Sequence, residues 1–515
     1  MFSKPSKEFF VILAAFIFFS VVLLPFFQYH INPDGICYLR IARYYAQGNF
    51  NAAVNGCWSP LISWLLAPLF KIGLPELVAF RLLNIIIACV ALQKINIIVS
   101  KFFNDIPYLF RLCIVVSCAL ELLILHFNTI TPDLLTLCLL LYLLDIYLSG
   151  DILSKPFTVG VLGALLYFTK AYSFYFFGVF ISACFLQKLL QKKRLKKEFQ
   201  RSLLTLFIFL ALSGCWILAL HSKYKEWTIS TASGYVFSIL DEQGVVHHPF
   251  QSQHTLRQLP YPEAYFSWED MPLIYKQSTV HTKYHKDIFT YLKLIFINSK
   301  KLVGMFLGKY FLLSLFLVPL VLFFVWKNKN TVRFLKNALI YKIIFFVALY
   351  ISGYFLISVE PRYIWILLIT ATMLLFQLVY YLICNITKKA RMIMVLIMMI
   401  PFFYTTITYL ATRINVNKDD YDSATEIVRH IPAGSHIAGF YSEDLWNHLF
   451  LFDLHNYGGI ASYPDDASLM SDVNKYSINY IVLHSEDYYQ NLSKTLRSKL
   501  PVYYKNDAWV ILKTE

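Results

Sequence analysis

The sequence predicts a mostly α, polytopic membrane protein with about 11 transmembrane helices and a small C-terminal extramembrane α/β domain. Three observations carry that prediction. Of 515 residues, 58% are hydrophobic and only 15% charged, far more apolar than a soluble domain. Apolar runs of roughly 17 to 25 residues, the length that crosses a hydrocarbon layer, recur between residues 9 and 412. After Arg413 these runs stop, acids become frequent and short strand-like stretches follow.

Taken in order, MFSKPSKEFF is basic and precedes the apolar run Phe9 to Phe27, which has no small-residue cleavage site, so a retained first span is expected. Further runs read at 77–99, 107–125, 131–148, 202–221, 302–326, 338–358, 363–384 and 392–412. The stretch 157–187 is long for one crossing, short for two, and interrupted by Lys170. Charge decides its topology. With a cytoplasmic N-terminus, every short basic loop falls on the cytoplasmic face only if 157–187 crosses twice; a single crossing would put QKKRLKKEFQR outside. Eleven spans follow, with the C-terminus outside and Lys170 near the outer surface.

The same loop bias accounts for the net charge of +15, so no nucleic acid is expected as partner. The basic run 188–201 reads as an orientation signal ahead of an anionic-lipid site. Of nine cysteines, seven lie in apolar runs and behave as small hydrophobes; Cys37 and Cys57 share a polar loop, and spacing alone leaves their pairing open.

Two larger segments lie outside. The loop 222–300 carries HHPF at 247–250 and YPEAYFSWEDMP at 261–272, and its length suits a lid. His247 and His248 read as loop residues rather than metal ligands and are candidates for substrate contact within that lid. Trp58, Trp268 and the many tyrosines read as an interfacial belt. From 413 to 515, Asp420 to His430 reads as a helix, 431–441 as a turn into a strand, and 477–486 and 509–514 as buried strands. The membrane domain is thus 1–412, with outer loops 29–75 and 222–300, and the outer α/β domain is 413–515.

Chemistry concentrates in the first outer loop, His30 to Phe70. Asp34 sits between Pro33 and Gly35 just past the first span, so a carboxylate is held at the membrane surface on a short, stiff turn. The plainer alternative is an acid that caps a helix from Gly35 to Gln47. On the eleven-span topology, the same face also receives His126, Thr131 and Asp133 after span three, Lys170 after span five, and Glu360, Arg362 and Tyr363 after span nine. Charges at membrane depth are costly and tend to mark sites. Structural alternatives stand beside each: Asp133 complementing a helix N-terminus, Lys170 snorkelling, Arg362 pairing with Glu360 or with headgroups.

NPDG, YLRIARYYAQGNF and AVNGCWSPLISWLLAP together resemble the first outer loop of the GT-C membrane glycosyltransferases, the superfamily of protein O-mannosyltransferases and lipid A aminoarabinose transferases. TPDLL at 131–135, TKAY at 169–172 and EPRY at 360–363 extend the resemblance over most of the membrane part, while the last hundred residues carry no matching motif. The resemblance implies that Asp34 is the catalytic base and that the donor is a sugar on a polyprenyl phosphate, transferred to a lipid, glycan or protein acceptor at the outer face. Asp133 would assist the base or position the acceptor. Lys170 and Arg362 would neutralise the leaving phosphate, with Glu360 and Tyr363 beside them as substrate-binding residues. One base without a covalent nucleophile implies inversion. No cofactor is expected, and a divalent metal shared by Asp34 and Asp133 stays open. Two rivals remain: a transporter or flippase of a lipid-linked substrate, and a noncatalytic envelope assembly protein. Short loops and high Lys, Ile and Asn usage suggest a bacterial inner membrane, with periplasm outside.

Overall fold

The apolar runs fold into helices whose ends follow ordinary capping chemistry. In the computed structural model, which describes residues 6–191, 195–232, 255–271, 288–309, 337–440, 443–484, 489–490 and 492–514, the first helix, α1 (Lys7–Phe27), starts where the Ser6 side chain accepts from the Phe9 N–H at 3.3 Å. The first outer loop holds α2 (Pro33–Gln47), α3 (Phe50–Ala53) and α4 (Leu61–Lys71). There follow α5 (Glu76–Phe102), α6 (Tyr108–Asn128), α7 (Asp133–Leu148), α8 (Pro156–Thr169), α9 (Ser173–Leu190) and α10 (Leu195–Tyr224). Beyond the second outer loop come α11 (Ile288–Lys309), α12 (Ala338–Ser352), α13 (Trp365–Ile383), α14 (Lys388–Arg413) and α15 (Lys418–Val428).

Among the described residues, 8 helices are long and apolar enough to cross a membrane. The sequence leads one to expect eleven. The shortfall is α7 and α8, at 16 and 14 residues, and the run 302–326, described only to Lys309. The region 157–187 is two helices, and the turn between them carries Lys170 to the same end of the bundle as Asp34. Helix α11 starts well before residue 302, so residues 288–300 are helical rather than part of a loop; apolar residues at Leu292, Ile295 and Phe296 extend the helical pattern backwards.

Large apolar side chains point outward along α1 (Phe10, Phe18, Phe19), α10 (Leu203, Phe207, Leu210) and α14 (Ile400, Phe403, Ile407). Water would not tolerate so broad an apolar surface, whereas lipid does. This is a multi-pass membrane protein. Inside, α5 buries Phe80, Ala88, Ala91, Leu92, Ile95 and Ile98 on a face of helical spacing against α6 and α7. At the end of the bundle opposite Asp34, Lys94 and Lys101 pair with Asp145 at 3.1 and 3.3 Å, and Arg201 and Lys188 pair with Asp151 at 3.2 and 3.4 Å.

The C-terminal region carries a sheet of β1 (His436–Phe440), β2 (His455–Asn456), β3 (Tyr480–His484), β4 (Val502–Lys505) and β5 (Trp509–Lys513) in the order β2-β1-β3-β5-β4. β1 lies parallel to β2 and β3, while β5 lies antiparallel to β3 and β4. Alternation along the strands sorts the two faces. Ala438, Ile481, Leu483, Val510 and Leu512 join a core with Leu469, Val473 and Leu496, whereas Ile437, Val482 and Ile511 join the core shared with the membrane body, beside Ile427, Leu449 and Phe450.

A strap from the second outer loop, residues 255–271, lies between this domain and the first outer loop. The Asn456 N–H donates to the Tyr265 carbonyl at 2.6 Å, the Arg257 N–H to the Tyr457 carbonyl at 2.8 Å, and the Tyr265 hydroxyl to the Trp446 carbonyl at 2.5 Å. His247, His248 and most of the remaining candidate lid lie outside the described residues.

Candidate active site

Four separated turns meet at one end of the bundle. The first is the start of α2. Asn32 occupies the cap position and Pro33 the first helical position, where a missing N–H costs nothing, so Asp34 stands in the first turn of a helix that already begins at Pro33. Asn32 does not cap that helix; its side-chain oxygen accepts from the Ile130 N–H at 3.2 Å and ties the turn to the one before α7. The far end of α2 stops at Gly48, whose φ of 77° suits glycine and whose N–H closes onto the carbonyls of Tyr44 and Tyr45.

Gly35 makes the approach of these two turns feasible. A Cβ there would lie 2.6 Å from Ile130 Cβ and 2.9 Å from the Ile130 carbonyl oxygen. Gly35→Ala should therefore push α2 off the α7 turn, with a loss on the order of 1–3 kcal/mol; thermal unfolding of the purified variant, expected several degrees below wild type, checks it.

The pairing among the charges is specific. Asp34 Oδ2 accepts from Arg362 Nη1 at 2.7 Å, and Arg362 Nε donates to Glu360 Oε2 at 2.7 Å, so the guanidinium bridges two carboxylates. Asp133 is buried, accepting from the Lys170 ammonium on one oxygen and from the Thr131 hydroxyl at 2.7 Å on the other. The Lys170 Nζ also lies 3.8 Å from the centre of the Tyr363 ring, which stacks on Tyr354 at 4.5 Å. Burial lowers the Lys170 pKa, while the Asp133 carboxylate opposes that shift. One helical turn beyond Asp34, burial and the Asp34 charge push the Tyr38 hydroxyl well above its ordinary pKa, leaving it a neutral donor. Asp34, Asp133, Lys170, Glu360, Arg362 and Tyr363 thus share one site. His126 does not join them: it is buried within α6, its Nδ1 3.0 Å from the Leu122 carbonyl.

The two carboxylates differ in access. The side chain of Asp34 is 23% exposed against 3% for Asp133. Solvent reaches the first and hardly touches the second.

Below α2 lies a second charged layer that sequence reasoning missed. Glu269, on the strap, accepts from Arg40 Nε at 3.2 Å, from the Tyr44 hydroxyl at 2.7 Å and from the Tyr265 N–H at 2.6 Å. Its neighbour Asp270 pairs with Lys223 Nζ at 2.7 Å and accepts from the Tyr224 hydroxyl at 2.9 Å. Burial raises the Asp270 pKa, with Lys223 opposing. Both acids are fully buried. Nothing in the stretch YPEAYFSWEDMP marks these acids as interior, because their side-chain partners Arg40, Tyr44, Lys223 and Tyr224 lie more than forty residues away in the chain.

Trp58 and Trp268 correct the interfacial-belt expectation. Both are buried, their ring centres are 6.4 Å apart, and Trp58 Nε1 donates to the Trp268 carbonyl at 3.4 Å. They fasten the strap rather than face headgroups, because folding brings the two outer loops into contact and gives each ring a protein partner. Cys37 and Cys57 are free thiols; Cys37 Sγ lies 3.6 Å from the Trp268 carbonyl, and burial raises the pKa of both. Among the described residues no cluster of three or more His, Cys, Asp or Glu suited to a metal ion occurs.

No protein-family profile and no curated protein matches the sequence. Solved structures do. The oligosaccharyltransferase of Archaeoglobus fulgidus in its apo form superposes with a TM-score of 0.53 at 12% identity, over 94% of this chain and 71% of that one. ArnT from Cupriavidus metallidurans aligns in the apo state at 15% identity and TM-score 0.45 over 97% of both chains. Its complex with undecaprenyl phosphate aligns at 14% and 0.45 over 98% of both. The likeness to the oligosaccharyltransferase shows that this chain shares the overall fold of that protein, a helical bundle with a C-terminal domain.

Proposed function

We propose that this protein is a membrane glycosyltransferase that moves a sugar from a polyprenyl-phosphate donor to an acceptor hydroxyl at the end of the bundle where Asp34 lies. The observation that carries the reading is the convergence of the Asp34–Arg362–Glu360 and Asp133–Lys170 clusters from four separated turns. The fold shared with an oligosaccharyltransferase, whose name denotes transfer of an oligosaccharide, supports it.

The residues divide the work. Asp34, the accessible carboxylate, takes the proton of the attacking hydroxyl. Asp133, locked by Lys170 and Thr131, holds the ammonium in place rather than acting as base. The leaving phosphate is already anionic, so it needs cations more than an acid; Arg362 and Lys170 supply them. Arg362 spans Asp34 and Glu360 before the donor binds. A donor phosphate competes for the guanidinium and so frees the Asp34 carboxylate for the acceptor. Direct displacement with one base inverts the anomeric centre. The basic helix ends at the opposite end of the bundle support a cytoplasmic assignment there, and with it the reading of a site that faces the periplasm of a bacterial inner membrane. The strap would cover the site, and the outer domain would hold a lipid, glycan or protein acceptor.

The test is transfer of radiolabelled sugar from a panel of polyprenyl-phosphate sugars to extracted host envelope by the protein in vesicles. Label in the acceptor, with an anomeric configuration opposite to the donor's, is the expected result. Label that crosses the vesicle membrane still attached to its lipid would instead establish a flippase.

A further inference from the structure

Arg81 lies within the second apolar run, where a guanidinium is expensive. It is fully buried in the first turns of α5. The usual resolution for such a charge is a carboxylate partner, yet among the described residues Arg81 makes no ion pair. Its donors go to main-chain carbonyls in two different segments. Nη1 donates to Phe127 O at 3.2 Å and to His126 O at 3.5 Å, and Nη2 donates to His30 O. Asn84, one turn further along α5, adds a bond to His126 O at 3.3 Å.

Those carbonyls have distinct chemistry. Residues 126 and 127 are in the last turn of α6, where carbonyls lack helical partners and carry the negative end of the helix dipole. His30 belongs to the short link between α1 and α2. Burial, with the charge of Arg81 next in weight, pushes His30 down to about 4, so it stays neutral beside the guanidinium. One link leads four residues on to Asp34, the other six residues on to Asp133. The same two links meet again through Asn32 and the Ile130 N–H, and through Gly35 against Ile130. Arg81 is therefore a further tie between the acid-bearing turns, and one made by a fully buried charge.

We propose that Arg81 is a positioning residue: its forked guanidinium fixes the turn that presents Asp34 relative to the turn that presents Asp133, and with them the separation of base and phosphate-binding ammonium. The proposal rests on the glycosyltransferase reading for its catalytic consequence, but the tether itself is a property of the fold. A lysine keeps the charge and loses the fork, so it reaches one set of carbonyls and not both.

The experiment compares wild type, Arg81→Lys and Arg81→Met by two readouts. Hydrogen exchange of the full-length protein in detergent should quicken at residues 28–36 and 126–134 together in Arg81→Lys, with other segments and Tm close to wild type. In the transfer assay, kcat should fall about 10–100-fold, since roughly 1 Å of misplacement can cost that much, while donor KM stays within a few-fold. Arg81→Met should show the same exchange signature more strongly, with a lower Tm. Wild-type exchange in both segments of Arg81→Lys would overturn the proposal. So would exchange that rises uniformly over the molecule, with activity falling only as the folded fraction falls. If wild type transfers no sugar, the glycosyltransferase reading fails, and the exchange pattern alone still decides whether Arg81 ties the turns.

Discussion

Asp34→Asn should lower kcat for sugar transfer by about 10²–10⁴-fold, the usual contribution of a positioned general base, while leaving donor affinity equal to wild type or tighter. The second half follows from the ion pairs. In the wild type, the Arg362 guanidinium is shared between Asp34 and Glu360, each at 2.7 Å. Replacing Asp34 by a neutral amide leaves Glu360 as its only carboxylate partner among those two and makes it more available to a donor phosphate. Loss of turnover without loss of donor binding separates an enzyme from an assembly protein, which should scarcely respond. Kinetics over a range of donor concentrations, with thermal unfolding as a control for folding, make the comparison. Transfer by the variant at the wild-type rate would remove Asp34 from the reaction.

Glu269→Gln should cost about 3–5 kcal/mol, the scale seen when one partner of a buried ion pair is removed. The Arg40 and Glu269 side chains are 4% and 0% exposed, so Arg40 would be stranded without its carboxylate and water could not replace it. Since Glu269 also accepts from Tyr44 and from the Tyr265 N–H, the damage should spread along the strap towards Trp268. Cys37 reports on it. Its thiol is fully buried with Sγ 3.6 Å from the Trp268 carbonyl. Maleimide labelling of Cys37 should be slow in the wild type and much faster in the variant, alongside a lower Tm. Unchanged labelling and unchanged Tm together would show that the strap is held by other contacts.

How much of this could be read from the chain varies with the kind of contact. Long apolar runs and the basic loops give away the helices, because hydropathy and charge bias act locally along a span. They also divide 157–187 into two helices, since only the double crossing brings QKKRLKKEFQR to the same side as the other basic loops. The strands around Tyr480 and Trp509 and the helix near Asp420 are legible for the same local reason. The cluster at Asp34, Asp133, Lys170 and Arg362 was legible as residues brought to one face, but not as partners. Which acid takes which cation depends on how turns separated by up to 328 positions settle against one another. Arg40, Lys223, Glu269 and Asp270 were illegible altogether: each is an ordinary polar residue in a polar loop until folding buries it. Trp58 and Trp268 misled because amphipathic rings suit a headgroup layer and a protein interior equally well.

The strap has a consequence for any attempt to treat the outer domain as a separable part. It is fastened on one side by charges beneath α2 and on the other by main-chain bonds to β2 and its neighbours. A cut near residue 413 follows the end of the last long apolar helix but severs a shared interior. Grafting the C-terminal hundred residues of a relative onto this bundle would therefore succeed only if residues 255–271 travelled with them, and this portion of the second outer loop should change in step with the domain it supports rather than with the helices it connects.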